Sequence, residues 1–377
     1  MEFNITAVSK DVSKDIIQIE EAMKLSKDCA RACYSEKNFY EIKKEPLSLP
    51  LLEKMIKSGH HSILEHVWIG FYMDGLPKIL AMVFNNEKQY ATSEKSARYT
   101  EMKEIIPEQK EKYDKWVSIL APEINRVFPR IKQERNNAIK KLAQENARYM
   151  TSVFTPTKMV HSINFRQINF LRNEFEDFIS LYSNSEDIFM KRVSKSMEYF
   201  LKQTELLKIS GLRNQTARSL SLFNETKVEE HFGDVYSTSY LMSFAGLGQA
   251  QRHRTINYHI SKGLSLNAPL GFFVPDIVQE NKKDEWLNDL EQVSRYDFPQ
   301  AQLVEVNERG IIEDFISKRM LRECGHAQYE IMRNTLGTSK KYSQHDKRIV
   351  FDEKPKCGPN GCKGCSWGNK YGIRRKV

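Results

Sequence analysis

The sequence is short of cysteine, of long apolar runs and of glycine-rich phosphate loops. Six cysteines in 377 residues do not make a disulfide scaffold, so a reducing cytoplasm is the expected compartment. No apolar run approaches the ~20 residues that span a bilayer, so no membrane insertion is expected. The opening stretch MEFNITAVSKDVSKD lacks the apolar region of a signal peptide. Gly246-Leu247-Gly248 is not followed by a third glycine at the spacing of a dinucleotide fingerprint. His60, His61 and His66 cluster, but they fit no standard zinc spacing and have one carboxylate nearby, Glu65. A hydrogen-bonding role is expected for them.

What is present suffices for two domains with real cores, since 40% of the chain is hydrophobic. The net charge is +9. Such a balance suits nucleotides and phosphorylated cofactors as well as nucleic acid. The lysines are spread along the whole chain, which favours solvated helix faces over a dedicated nucleic-acid stripe, so nucleic acid is not the expected partner. Apolar periodicity predicts helices over 15–35, 51–57, 187–208 and 281–293, and a last helix over 311–334. Residues 67–72 read as a strand, and 101–150 as charged helical sequence.

The apolar stretch from Val235 to Leu247 ends in Gln249-Ala250-Gln251-Arg252-His253-Arg254. Guanidinium groups take phosphate in a two-pronged grip, so this cluster is a candidate anion site, against the plainer reading of a solvated basic turn. The neighbourhood recurs in worn form. Glu65-His66 is followed, 20 residues on, by Asn86-Glu87-Lys88; Glu230-His231 is followed, 21 residues on, by Arg252-His253-Arg254. Ala147-Arg148 precedes Ile163-Asn164-Phe165-Arg166, and Ser294-Arg295 precedes Val306-Asn307-Glu308-Arg309. Two matches in the same order predict a tandem duplication. The expected division is 1–208, 209–345 and a basic cysteine-rich tail over 346–377.

These residues resemble the flavin-dependent thymidylate synthases, the ThyX family. Its motif is Arg-His-Arg, with Gln three before and Glu, Ser and Arg at eight, ten and twelve after the first Arg. Counted from Asn86, the first copy has Glu94, Ser96 and Arg98 in those places, but lacks Arg-His-Arg. The second has Gln249 and Arg252-His253-Arg254, with Ile260, Lys262 and Leu264 after it. Each copy keeps the half that the other has lost. Ala30-Arg31-Ala32-Cys33-Tyr34-Ser35, Ser62-Ile63-Leu64-Glu65-His66, and Arg322 with Ala327-Gln328-Tyr329-Glu330-Ile331 resemble further family segments.

The resemblance implies an α+β fold: two diverged copies of one domain, each an antiparallel sheet flanked by long helices, arranged as a pseudo-dimer. It implies reductive methylation of dUMP to dTMP, with FAD as cofactor and methylenetetrahydrofolate and NADPH as co-substrates, at a composite site between the copies. A homodimer of the fused chain would then form a pseudo-tetramer. On this resemblance dUMP is bound by Gln249, Arg252, Glu94, Ser96, Arg98, Arg148 and Arg322. Of these Arg252, Arg148 and Arg322 are the catalytic candidates, with Arg295 a further cation to polarise the uracil. FAD falls to His66, His253, Arg254, Asn164, Arg166 and Asn169. The flavin carries the redox chemistry and the protein supplies orientation and field.

Cys357, Cys362 and Cys365 lie among glycines in the tail. They would hold zinc if His345 or Cys324 gave a fourth ligand; free thiols on a basic tail are the other reading. Two other functions stay open: a diverged flavoenzyme acting on another pyrimidine nucleotide, and a non-catalytic homologue binding nucleotide or nucleic acid.

Overall fold

The structure is a computed structural model, and it describes residues 2–7, 19–101, 104–128, 137–209, 212, 220–325 and 327–351. The tail cysteines Cys357, Cys362 and Cys365 lie outside the described residues. In chain order the first elements are β1 (Asn4–Ala7), α1 (Ile19–Ala32), α2 (Phe39–Ile42), α3 (Leu49–Lys57), β2 (Trp68–Pro77), α4 (Lys78–Phe84) and β3 (Tyr90–Glu94). Then come α5 (Pro107–Val127), α6 (Ala138–Ala147), β4 (Pro156–Asn164), α7 (Phe165–Tyr182) and α8 (Ile188–Gln203). The rest are β5 (His231–Phe232), β6 (Val235–Ser243), α9 (Phe244–Ala250), β7 (Asn257–Lys262), α10 (Lys283–Ser294), β8 (Leu303–Ile311), α11 (Ile312–Arg322) and α12 (Tyr329–Ser343).

The chain folds into two compact units. The first is Met1–Lys95 with Pro156–Leu220; the second is Ser96–Thr155 with Ser221–Val377. A packing unit is therefore not the same thing as a sequence copy. The stretch from Ser96 to Thr155 stands in the first copy by sequence and packs in the second unit.

The first unit is built on an antiparallel sheet in the order β1-β2-β4-β3. The period-two pattern of β2 buries Ile69, Phe71 and Met73 and leaves Trp68 exposed. Gly75 takes φ +84° where the β2–β4 register shifts, a backbone region that glycine enters without steric cost. Strand β2 runs straight into α4, whose residues Ile79 to Phe84 are all buried. An all-apolar helix of this kind belongs in a core. Strand β4 runs straight into α7, capped by the Asn164 side chain, which accepts from the Gln167 N–H at 2.8 Å.

The second unit repeats this plan. Its sheet is antiparallel in the order β5-β6-β8-β7. Strand β6 runs into α9, capped by Ser243, whose Oγ accepts from the Gly246 N–H at 3.0 Å. Helices α5 and α6 join α10 in one apolar cluster. There Trp116 and Trp286 meet edge to face at 4.8 Å, and the Trp116 indole donates to Asp289 at 2.8 Å. Two antiparallel four-stranded sheets of the same strand order, each flanked by helices, make the protein α+β.

Two local expectations change. The single helix expected over 311–334 is two helices, α11 and α12, with Gly325 in the break and Gln328 extended at the start of α12. Glycine weakens a helix interior by about 0.5–1 kcal/mol relative to alanine. The match of Asn307 with Asn164 also shifts. Asn307 lies within β8, accepting from the Val228 N–H and donating to Ser261 Oγ, each at 2.8 Å. The strand-to-helix junction falls instead at Ile311.

Candidate active site

Helix α9 carries Gln249 in its last turn and ends at Gln251, so the Arg252-His253-Arg254 turn follows directly. Gln249 is buried, His253 half-buried, and Arg252 and Arg254 exposed. Arg322, the last residue of α11, donates Nε–H to His253 Nε2 at 2.7 Å. A guanidinium nitrogen accepts nothing, so Nε2 carries the lone pair and the imidazole proton sits on Nδ1. Burial, then the charges of Arg322 and Lys318, pull His253 down to about 3, so the ring is neutral near pH 7. Burial likewise lowers Arg322 to about 10, and the charges of Arg252 and Arg98 add to this. Arg252 and Arg98 thus both lie within electrostatic reach of Arg322.

The segment from Ser96 to Thr155 supplies the rest of the second unit's site. Burial works against the charge of Arg98, but Glu145 outweighs it and holds the guanidinium above its ordinary value; Arg98 Nε donates to Glu145 Oε2 at 2.9 Å. Arg148 caps the end of α6, buried, with its guanidinium carbon 5.8 Å from the centre of the Tyr149 ring. Tyr149 donates to Glu330 Oε2 at 2.8 Å. Glu330 also accepts from the Ser243 N–H at 2.7 Å and from Ser243 Oγ–H at 2.6 Å. Fully buried Glu330 therefore ties the turn bearing Arg148 to the cap of the helix bearing Gln249. Burial raises its pKa against the hydrogen bonds of Ser243 and Tyr149.

Three buried polar atoms among these residues have no hydrogen-bond partner in the protein: Ser96 Oγ, Arg148 Nη2 and Gln249 Oε1. An unsatisfied buried group costs about 1–3 kcal/mol, so three of them within one unit need a physical reason. They are a hydroxyl, a guanidinium nitrogen and an amide carbonyl.

The remaining sequence candidates lie in the first unit or outside the cluster. Glu94, at the end of β3, accepts from Lys78 Nζ at 2.6 Å and Thr157 Oγ1 at 3.3 Å. His66 is exposed at the end of the short 3₁₀ turn before β2. Asn164 caps α7. Arg166 pairs with Glu65 at 2.6 Å. Asn169 donates to the carbonyls of Phe165 and Leu207, both at 3.1 Å, and accepts from the Ile209 N–H at 2.8 Å. Arg295 is exposed at the end of α10. Of the other two ligands considered for the tail, Cys324 is buried and His345 stacks on Phe232. Among the described residues no group of three or more His, Cys, Asp or Glu is placed to hold a metal. No helix among them is long and apolar enough to cross a membrane.

Sequence reasoning assigned no role to Tyr149, Glu330, Glu308 or Lys318. The available signal was a carboxylate, Glu308, at an inward position of β8 between Val306 and Gly310. The first unit differs at the matching places. Counted from the first residue of each helix, Leu171 of α7 corresponds to Lys318 of α11, and Phe175 to Arg322. Counted along the strands, His161 corresponds to Glu308. Phe175, Phe84 and Phe200 pack edge to face at 5.0–5.8 Å, and His161 stacks on Tyr90 at 5.1 Å. Aromatic side chains fill the place that holds charged ones in the second unit.

The second unit carries a basic, partly buried cluster of polar side chains on an α+β frame. Residues 15–175, fewer than half of the chain, match the family model described as thymidylate synthase complementing protein. A flavin-dependent thymidylate synthase of Pyrococcus furiosus is 26% identical over 128 residues, covering 31% of this chain and 50% of that protein. The chain thus spans about half the length of the curated relative it matches. Thymidylate synthase X from Helicobacter pylori, crystallised with FAD and dUMP, shares 17% identity at a TM-score of 0.32, over 56% of this chain and 100% of that one. The UMP/dUMP methylase PolB from Streptomyces cacaoi, bound with 5-Br dUMP, shares 16% at 0.31, over 54% and 94%. The family model and the Pyrococcus furiosus protein each match fewer than half of the residues of this chain.

Proposed function

We propose that the second unit binds dUMP and that the protein is a flavin-dependent thymidylate synthase, forming dTMP from dUMP. The observation that carries this reading is the set of unpartnered atoms Ser96 Oγ, Arg148 Nη2 and Gln249 Oε1 in the unit where Arg98 and Arg252 lie within electrostatic reach of Arg322. Arg98 and Arg252, with the Ser96 hydroxyl, take the phosphate; Arg148 and Arg322 face the pyrimidine and stabilise the negative charge that builds on it as the ring reacts. Gln249 orients the ring through its carbonyl. Glu94 is engaged by Lys78 and Thr157 and serves the end of β3. The two copies arose by tandem duplication, and the split motif leaves one working site per chain. A homodimer would carry two.

When bound, FAD would supply the hydride, replenished from NADPH, that turns the one-carbon unit of methylenetetrahydrofolate into a methyl group. His253 and Arg254 are the flavin candidates in the second unit. Asn164, Arg166 and Asn169 are engaged by protein partners in the first unit and show no orphaned atom toward a flavin. The flavin assignment therefore rests on the family resemblance alone, and the nucleotide assignment on that resemblance together with the unpartnered atoms of the second unit.

The test is to incubate the purified protein with dUMP, methylenetetrahydrofolate, NADPH and FAD and to follow dTMP by chromatography. Formation of dTMP, lost in Arg252→Ala, supports the reading. Oxidation of NADPH stimulated by another pyrimidine nucleotide, without dTMP, replaces the substrate. No product and no nucleotide binding overturns it.

A further inference from the structure

Beside the paired Arg322 and His253 lies a buried charge pair that the proposed reaction does not use. Lys318 on α11 donates Nζ–H to Glu308 Oε2 on β8 at 2.7 Å, and both side chains are fully buried. Glu308 also accepts from Tyr236 Oη–H at 2.6 Å and from the Tyr240 hydroxyl. The ammonium lies 5.5 Å from the centre of the Tyr258 ring and 6.0 Å from that of Tyr240. Removing one partner of such a pair strands a buried charge, whereas replacing both with apolar groups is often neutral for stability. A buried pair is therefore weak evidence for stability and is better read as a device that fixes geometry.

The geometry being fixed is that of α11. Strand β8 passes into α11 without a loop, and the bond between Glu308 and Lys318 ties the helix back onto that strand at one rotation. Residues four apart share a helix face, so the same rotation also sets Arg322, one turn beyond Lys318. The first unit is an internal comparison. There His161, Leu171 and Phe175 stand at the places of Glu308, Lys318 and Arg322, so the ion pair and the arginine are absent together.

We propose that Glu308 and Lys318 are positioning residues: their ion pair locks the rotation of α11 so that Arg322 occupies Nε2 of His253, which keeps the imidazole proton on Nδ1 as a donor to an acceptor atom of the bound ligand. Only the ligand end of this chain rests on the proposed function, in which Arg322 serves the nucleotide and His253 the flavin; the tautomer belongs to the protein alone.

The test is long-range ¹H–¹⁵N NMR of His253 in the full chain, with dUMP binding measured separately. In the natural protein Nδ1 shows the protonated shift and Nε2 the unprotonated one. The double variant Glu308→Gln/Lys318→Met removes both charges at similar volume. It is expected to keep the native near-ultraviolet spectrum, to show Nε2–H or a mixture of tautomers, and to bind dUMP about tenfold more weakly. A folded double variant with unchanged tautomer and unchanged affinity overturns the proposal. Should that variant not fold, Glu308→Asp keeps both charges and shortens the strut; a tautomer shift supports the proposal and an unmoved one overturns it. If the natural protein binds no dUMP, the nucleotide reading fails while the tautomer arm still decides this one.

Discussion

Arg322 donates Nε–H to Nε2 of His253 at 2.7 Å, joining residues 69 positions apart at the rim of a cluster of guanidinium groups. The bond sets both partners. The imidazole keeps one donor, on Nδ1, and the guanidinium is left with its paired Nη nitrogens for a ligand. Neither follows from the Arg-His-Arg triplet alone, because the arginine that fixes His253 comes from the end of another helix.

Ser96 and Gln249 should trade stability for binding. Each holds a buried polar atom with no partner in the protein. Ser96→Ala removes an unsatisfied hydroxyl, so the ligand-free protein should melt at the same temperature or a few degrees higher, while dUMP affinity falls about tenfold. Gln249→Leu should behave in the same way. Calorimetric melting with a parallel dUMP titration checks both signs; a ligand-free protein clearly destabilised by Ser96→Ala would assign the hydroxyl a structural partner instead.

Arg98 is placed to affect both quantities downward. It is bonded to Glu145, and the two side chains are 6% and 4% exposed. Arg98→Ala removes the Arg98 partner of a buried carboxylate, with an expected loss of roughly 3–5 kcal/mol in denaturant unfolding. Arg98→Ala/Glu145→Ala should recover much of that loss yet still bind dUMP poorly. Recovery of binding along with stability would remove Arg98 from the ligand site.

Acid should weaken the fold through two histidines. His161 is fully buried with neither ring nitrogen bonded, and burial lowers its pKa to about 3; His253 lies at about 3 as well. The unfolded chain takes up these protons first, near the ordinary value of 6.5. Stability from the neutral rings is thus whole above 6.5 and drains as pH falls from 6.5 toward 3. Each ring contributes at most about 1.4 kcal/mol per pH unit. His161→Leu should be at least as stable at pH 7 and should lose less between pH 6.5 and 4 in urea titrations. An unchanged slope would show that His161 does not titrate in this way.

Gly246 should not tolerate a side chain. A Cβ there would meet Met242 Cγ at 2.7 Å and Glu330 Oε2 at 2.8 Å. Gly246→Ala gains helix propensity but pushes on the carboxylate that joins Ser243 to Tyr149. The net effect should be a loss of about 1–3 kcal/mol in denaturant unfolding, with weaker dUMP binding in the same variant.

The fold was legible where periodicity is strong and where residues act within one element. The helix over 187–208 and the strand over 67–72 follow from pattern alone and appear as α8 and the start of β2. The break between α11 and α12 was not legible, because apolar spacing continues across Gly325 while the helix ends at Arg322 and restarts at Tyr329. In the site, Ser96, Arg98, Arg148, Gln249, Arg252 and Arg322 could be named from spacing within a resemblance, and the structure places them in one unit. The burial of Arg98 on Glu145 and the junction at Glu330 could not be read, since each depends on partners brought together by packing. The backbone contacts of Asn169 with Leu207 and Ile209 likewise depend on packing.

The most direct measurement is calorimetric titration of the natural protein and of Arg252→Ala with dUMP and with deoxyuridine. A phosphate gripped by Arg98, Arg252 and Ser96 predicts saturable dUMP binding, at least a hundredfold weaker binding of deoxyuridine, about 2.7 kcal/mol, and loss of the dUMP signal in Arg252→Ala. Equal affinity for the two ligands, or dUMP binding untouched by Arg252→Ala, would contradict the account.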